Sequence, residues 1–216
     1  MKSLAVCCIK QGVRYGAEYV NTLYRMVERN LSVPHDFVCF TDNPEGIDPA
    51  VTILPPLCDE AGWWGKMYLY QDKVHGLKGV RRILFLDLDV VITGRLDDVV
   101  TYKTDHAMIR DYPDGYYPAG DIRQSHGNSS VILLTVGKRT EIWDAYRKAG
   151  EPKHGSQQGW INQRFLSGLD LFPDWMMKSY KMHNLQNAVP ENCRVVMFHG
   201  IPKPPDCGGW VRDYWQ

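Results

Sequence analysis

Residues 81–94 read RRILFLDLDVVITG, and two carboxylates, Asp87 and Asp89, interrupt an otherwise apolar run. An unpaired carboxylate in such a setting is costly, so something positive must meet each one. Hard oxygen ligands held close together suit a divalent cation, Mg²⁺ or Mn²⁺. The competing reading is a strand end that caps a turn or meets Arg81, Arg82 or Arg95. A second polar cluster closes another apolar run, VVMFHGIPKP at 195–204. There His199 offers an imidazole to the same cation and Lys203 a point charge to a phosphate. Gly200 between them allows close backbone approach. Two carboxylates, a histidine and a lysine at two strand ends read together as a metal–diphosphate site.

The elements that must position these groups follow from hydrophobic period. Residues 3–10, SLAVCCIK, read as a buried parallel strand, and Val20, Leu23, Tyr24, Val27 and Leu31 recur at helical spacing after it. Pro34 ends that helix, and DFVCFTD at 36–42 is the next strand. This β-helix-β order predicts a right-handed crossover and a parallel pair. Further strands are expected at 52–57, 81–92, 106–110, 129–137 and 193–200, and helices at 62–74, 138–150 and 157–168. The length of 81–92 suggests a bend near the aspartates, with DVVI turning away. The tail from Ile201 onward is too rich in Pro and Gly to promise regular structure. Strand–helix alternation argues one α/β domain over 1–216 with a mostly parallel central sheet flanked by helices. Ligands in such sheets bind at the carboxyl ends of strands, where the aspartates lie.

Composition narrows the function classes. Twenty-five basic and 25 acidic residues leave no net charge, so no long nucleic-acid track is implied, although Arg110, Arg123 and Lys138 could form a local patch. Six cysteines show no CxxC or Cys/His zinc spacing. Cys7, Cys8, Cys39 and Cys193 sit in apolar runs and are expected as buried free thiols. No apolar run approaches the length of a spanning helix, and MKSLAVCCIKQG lacks a signal peptide's apolar stretch. A soluble, cytoplasmic setting is the expectation. Seven Trp and twelve Tyr exceed what a plain core needs, and aromatics also stack on sugars and bases.

The segment ILFLDLDVVITGRLDDV resembles the DxD segment of GT-A-fold glycosyltransferases, and FHGIPKP resembles the HxxGxxKPW segment of the retaining family that includes glycogenin and the lipopolysaccharide galactosyl- and glucosyltransferases. FVCFTD, NSSVILL and QQGWIN fall in that family's order, the last two resembling its NxGxxL strand and DQxxxN helix. The resemblance implies a metal-dependent transfer from a nucleoside-diphosphate sugar, UDP by preference. Asp87 would hold the ribose and sugar and touch the metal, Asp89 and His199 would ligate it, and Lys203 would hold the diphosphate. Ile9, Lys10 and Asp42 would lie at the base, Lys66 would face the sugar nucleotide, and Asn128 would line the sugar pocket. Gln158 would stand near the anomeric carbon. Two departures stand out: Gln157 replaces the aspartate of the DQ pair, and no Trp follows Pro204. From its length of 216 residues, the chain is expected to lack the family's usual C-terminal extension. An inverting reaction would need a carboxylate base, for which Asp111, Asp114 and Asp121 are candidates. Trp63, Trp64, Tyr116, Tyr117 and Trp160 could wall an acceptor, which the sequence leaves open among a glycan, a lipid-linked saccharide, a small molecule and a modified DNA base. The long loop 111–128 is expected to contribute to that pocket. A nucleotidyltransferase or nucleotide-sugar hydrolase would use the same metal–diphosphate site.

Overall fold

A computed structural model describes residues 1–59, 62–111, 125–152 and 154–216. The central sheet has the order β3-β2-β1-β4-β7-β6-β8, formed by β1 (Leu4–Lys10), β2 (Asp36–Thr41), β3 (Thr52–Leu54), β4 (Arg82–Leu86), β6 (His106–Arg110), β7 (Gly127–Thr135) and β8 (Asp170–Leu171). β1 pairs in parallel with both β2 and β4, and β7 runs antiparallel between β4 and β6. The sheet is therefore mostly parallel, as the strand–helix alternation predicts. A smaller sheet has the order β5-β10-β9, from β5 (Val90–Ile92), β9 (Met177–Ser179) and β10 (Val195–Met197).

Period-two alternation divides the core between the two faces of the large sheet. Leu4, Val6 and Cys8 face one cluster with Val20, Leu23, Met26 and Val27 of α1 (Ala17–Asn30) and with the small sheet. Ala5 and Cys7 face the other, with α3 (Thr140–Lys148), α4 (Gln157–Arg164) and the 3-10 helix Trp63–Tyr70. The cysteines are free thiols, and Cys7, Cys8, Cys39 and Cys193 are buried as their apolar neighbours require.

Four expectations are corrected. The helix expected over 62–74 is a 3-10 helix over Trp63–Tyr70. Its buried Trp64, Met67 and Tyr70 fall three apart, the spacing at which 3-10 side chains eclipse. The tail does order, into a 3-10 turn at Pro204–Asp206 and α5 (Trp210–Tyr214), whose Trp210 ring nitrogen donates to the Leu185 carbonyl. A short α2 (Asp97–Val100) follows β5, and β8 and β9 add to the two sheets. The last strand stops at Met197, so His199 stands beyond it in a loop. The bend in 81–92 is present: β4 stays in the large sheet while β5 leaves to pair with β10.

His106 shows how the core treats a titratable group. It is 1% exposed, with Nδ1 at 3.3 Å from the Arg139 guanidinium and Nε2 at 2.8 Å from the Tyr70 hydroxyl. A guanidinium only donates, so Nδ1 accepts and Nε2–H donates to Tyr70. Burial, reinforced by the Arg139 charge, lowers its pKa to about 3. The unfolded chain thus binds a proton near pH 6.5 that the folded chain refuses. Stability holds above that pH and falls as pH drops through the window from 6.5 toward 3, by about 2 kcal/mol between pH 7.5 and 5. Urea titrations of wild type and His106→Gln at those two pH values check this. The variant should lose most of the difference, and an equal slope in both would remove His106 as the cause.

Candidate active site

The aspartates lie in the turn where the chain passes from one sheet to the other. The Asp87 N–H still donates to the Ser130 carbonyl at 2.8 Å, and the Val90 N–H reaches back to the Asp87 carbonyl at 3.4 Å. Leu88 between them is 3% exposed and packs into the cluster around α1. Burying Leu88 turns its two neighbours the other way, and both line one cavity of about 300 Å³. That cavity opens beside the ends of β1 and β4. These strands flank the point where the chain order of the sheet reverses, β1 leading to β2 on one side and β4 lying on the other. This is the position at which open α/β sheets bind ligands.

Neither aspartate meets an arginine of its own segment. Arg82 is spent on the Tyr102 carbonyl and Arg95 lies beside Asp97. The countercharges are lysines from afar. Lys66 Nζ is 2.7 Å from Asp87 Oδ1 and also donates to Ser129, to its carbonyl at 3.1 Å and its hydroxyl at 3.3 Å. Lys66 is buried and stands over the Phe85 ring. It is therefore an interior cation, which decides against a solvated helical lysine. Burial still pushes the Asp87 carboxyl above its ordinary range, Lys66 drawing it back and the Asp89 charge adding to the rise. Lys203 Nζ pairs with Asp89 Oδ2, and the Tyr15 hydroxyl donates to the same oxygen at 2.8 Å.

The cavity brings together Ile9, Lys66, Asp87, Asp89, His199, Gly200 and Lys203 of the residues singled out in the sequence. The His199 ring lies 3.5 Å from the Ser179 hydroxyl. Gly200 has φ +67°, and a Cβ there would stand 3.2 Å from Lys181 Nζ. Four of the residues expected at the site are not among those lining the cavity. Lys10 is buried and donates to the Asn43 carbonyl at 3.1 Å, and Asp42 accepts from the Gly12 N–H at 2.9 Å. Gln158 and Asn128 lie one step behind it: Gln158 Oε1 accepts from the Ser129 N–H at 3.0 Å, and Asn128 Oδ1 from the Ser130 N–H at 2.9 Å. Gln157, where the resembled motif has its aspartate, is fully buried, and its amide finds no hydrogen-bond partner among the described residues.

Of the expected aromatic wall, Trp63 lines the cavity and is half exposed, its ring nitrogen donating to the Gly155 carbonyl at 3.3 Å. Trp64 instead stacks on Tyr146 in the core and Trp160 packs edge-on against it, so these two are packing residues. Asp114, Tyr116, Tyr117, Asp121 and Arg123, with most of loop 111–128, lie outside the described residues. Arg110, named for a basic patch, is paired with Asp174 at 2.9 Å. The sequence reading missed Gln11, Arg14 and Tyr15, whose stretch QGVRYG carries only turn signals.

The donor set, two carboxylates and one imidazole on one cavity, is of the chemistry that Mn²⁺ or Mg²⁺ takes. As placed, the carboxylates are turned to lysines, and among the described residues no three His, Cys, Asp or Glu are gathered tightly enough to hold a metal ion. No helix among the described residues is long and apolar enough to cross a membrane.

The chain matches no protein-family model and no curated protein by sequence. Its fold does match solved structures. The galactosyltransferase LgtC, solved with donor and acceptor sugar analogues, superposes with a TM-score of 0.68 at 13% identity, over 97% of this chain and 93% of that one. The glycosyltransferase GlyE of Streptococcus pneumoniae gives 0.68 at 14% identity, over 98% of this chain and 59% of its own. A glycosyltransferase involved in glycosylating the major capsid of PBCV-1 gives 0.60 at 11% identity, covering 93% of this chain and 95% of that one. The chain has the GT-A-type glycosyltransferase fold.

Lys66→Met leaves Asp87 uncompensated in a site where its side chain is 28% exposed. Between the small worth of exposed pairs and the large cost of breaking buried ones, the expected loss is about 1–3 kcal/mol. Lys66→Met/Asp87→Asn should recover most of it. Thermal melts of the two variants read the difference, and a double variant no more stable than the single one would show that packing of the Lys66 stem, not charge, holds the site.

Proposed function

We propose that this protein transfers a glycosyl group from a nucleoside-diphosphate sugar, UDP-linked by resemblance, to an acceptor hydroxyl or amine with retention of configuration, using Mn²⁺ or Mg²⁺. The observation that carries the reading is that one cavity at the reversal point of a GT-A-type sheet gathers Asp87, Asp89, His199 and Lys203 from two distant segments. The donor and acceptor sugar analogues held by LgtC on the same fold support the substrate class.

Asp87, Asp89 and His199 would hold the cation, which when bound supplies positive charge to the diphosphate leaving group. The rest falls to the chain's own side chains. Lys203, released from Asp89, places a point charge on the diphosphate as negative charge builds there. Lys66 keeps Asp87 ionised and aimed at the sugar. Ile9 offers an apolar edge to the base. Lys10, Asp42 and Asn128 would act from behind the cavity wall. Gln158, which the resemblance sets near the anomeric carbon, would act through its amide from behind the same wall, and the departing phosphate would take the acceptor proton. Hydrolysis of the same donor, or nucleotidyl transfer, would use the same charges and is told apart by its products.

Two experiments test the reading. Titration calorimetry with UDP should show tight binding with Mn²⁺ and a loss of at least about tenfold in EDTA, because carboxylates and phosphates repel without the cation between them. Equal affinity in both would remove the metal. Incubation with a panel of nucleotide sugars, read as nucleoside diphosphate release, should find a donor. Lys203→Ala should then lower turnover by about a hundredfold or more, the effect of losing one electrostatic stabiliser of the transition state. Near-wild-type turnover would take Lys203 out of the mechanism, and release of a nucleoside monophosphate or pyrophosphate would favour the rival chemistries.

A further inference from the structure

Asp111 follows β6 directly, and its N–H is fixed to the His126 carbonyl at 2.8 Å. Its carboxylate accepts from Gln158 Nε2 at 3.0 Å. The other end of the Gln158 amide, Oε1, accepts from the Ser129 N–H at 3.0 Å. These partners leave the amide one orientation. A carboxylate only accepts and a backbone N–H only donates, so a flipped amide would set oxygen against oxygen and N–H against N–H. Asn128 is likewise oriented, since its Oδ1 takes the Ser130 N–H. The same stretch of β7 reaches the other way. Ser129 holds Lys66 against Asp87, and the Ser130 carbonyl accepts from the Asp87 N–H. One strand segment, Asn128–Ser129–Ser130, thus registers the Gln158 amide against the carboxylate expected at the sugar.

We propose that Asp111 is a positioning residue for glycosyl transfer: by accepting from Gln158 Nε2, opposite the Ser129 N–H on Oε1, it fixes the orientation of the Gln158 amide behind the cavity wall. The inference rests on the glycosyltransferase reading above. It also gives Asp111 a different place from the general base of an inverting reaction. The Gln158 amide already donates to one of its oxygens, and that bond ties the carboxylate to the amide behind the wall.

Two substitutions of Asp111 separate the roles. D111N keeps an oxygen for Gln158 Nε2, and D111L keeps the volume with no acceptor. Turnover is read as nucleoside diphosphate release with Mn²⁺ and the donor found in the panel. D111N should stay within about fivefold of wild type, the difference between a charged and a neutral acceptor. D111L should lose about a hundredfold in kcat with little change in donor KM, the cost of a misplaced reacting group. The pH profile of D111N should keep the wild-type shape. A second readout needs no turnover: in ¹⁵N-labelled protein the Gln158 side-chain NH₂ pair, assigned by its loss in Gln158→Leu, should hold its shift in D111N and move toward free-amide values in D111L. Equal large losses in D111N and D111L would make the carboxylate itself the working group and overturn the proposal. So would wild-type kcat in D111L, or Gln158 amide signals that do not respond to it. If the wild type turns over no nucleotide sugar, the glycosyltransferase reading fails, and the amide shifts still decide whether Asp111 sets Gln158.

Discussion

Two carboxylates held at the end of an apolar strand must each be given a positive charge, and much of the site's architecture answers that demand. Asp87 is met by Lys66 from the 3-10 helix and Asp89 by Lys203 from the C-terminal segment. The first pairing explains why a lysine sits at 6% exposure among Trp64, Met67 and Leu69. In a helix of three residues per turn, Lys66 shares a ridge with Trp63 and Leu69 while Trp64, Met67 and Tyr70 form the core ridge beside it. A 3.6-residue helix would rotate these ridges apart over two turns. The second pairing ties the loop after β10 across the cavity to the turn before β5, and those two strands are themselves paired. Backbone pairing and the Lys203–Asp89 bond thus fix the same two segments.

Much of this was legible in the sequence where a local pattern carried it. The parallel pair β1–β2 follows from one apolar run, one helical stripe and one more run. The break after Leu86 follows from a strand too long for one sheet and from carboxylates that no sheet interior would accept. The polar groups ending 81–92 and 195–204 were read together as one site, and the antiparallel pairing of β10 with β5 is what sets the end of one beside the start of the other. The unread parts depend on contacts between distant residues. Tyr15 meets Asp89 across 74 positions and Lys203 meets it across 114. Nothing in QGVRYG marks a tyrosine that will cap a carboxylate. Lys10 and Asp42 sit at the expected strand ends, yet backbone partners in the β2 loop and at Gly12 claim them first. Met67, Tyr70 and Val74 fit a helical stripe, Trp64, Met67 and Tyr70 fit a threefold one, and all four are buried, so the local pattern does not choose between the two helices. The tail was misread because Pro and Gly exclude long regular elements without excluding one short turn of helix docked by Trp210.

The stretch GNSSVILLT does two kinds of work. Its apolar half, Val131–Leu134, pairs β7 between β4 and β6 and fills both core faces. Its polar half extends past the end of β4 and offers N–H, carbonyl, hydroxyl and amide groups in alternation. Because β7 is antiparallel to β4, the polar half lies beside Asp87 and not at the far edge of the sheet. A parallel strand in that place would have put the same residues at the opposite end, out of reach of every group in the site.

On the proposed reading, charge gives a reason for a metal and a nucleotide sugar to bind together. Lys66 with Asp87 and Lys203 with Asp89 are two neutral pairs, and Arg14 at the mouth adds one positive charge. A divalent cation entering alone would meet that charge with no anion to offset it and would have to pull Asp89 from Lys203. A diphosphate entering alone would have to draw Lys203 from Asp89 and leave that carboxylate unpaired. With both bound, Asp89 would help hold the cation and Lys203 the diphosphate, so neither member of the pair would be left without a partner. In a partly desolvated site, where an uncompensated charge is expensive, that exchange is the inexpensive route. Under this account Lys203 serves twice, holding the turn while the cavity is empty and the leaving group once it is filled. The loop beyond β10 can make this exchange because Lys203 lies past the last hydrogen-bonded strand residue, Met197, free of the sheet that holds its acidic partner's segment in place.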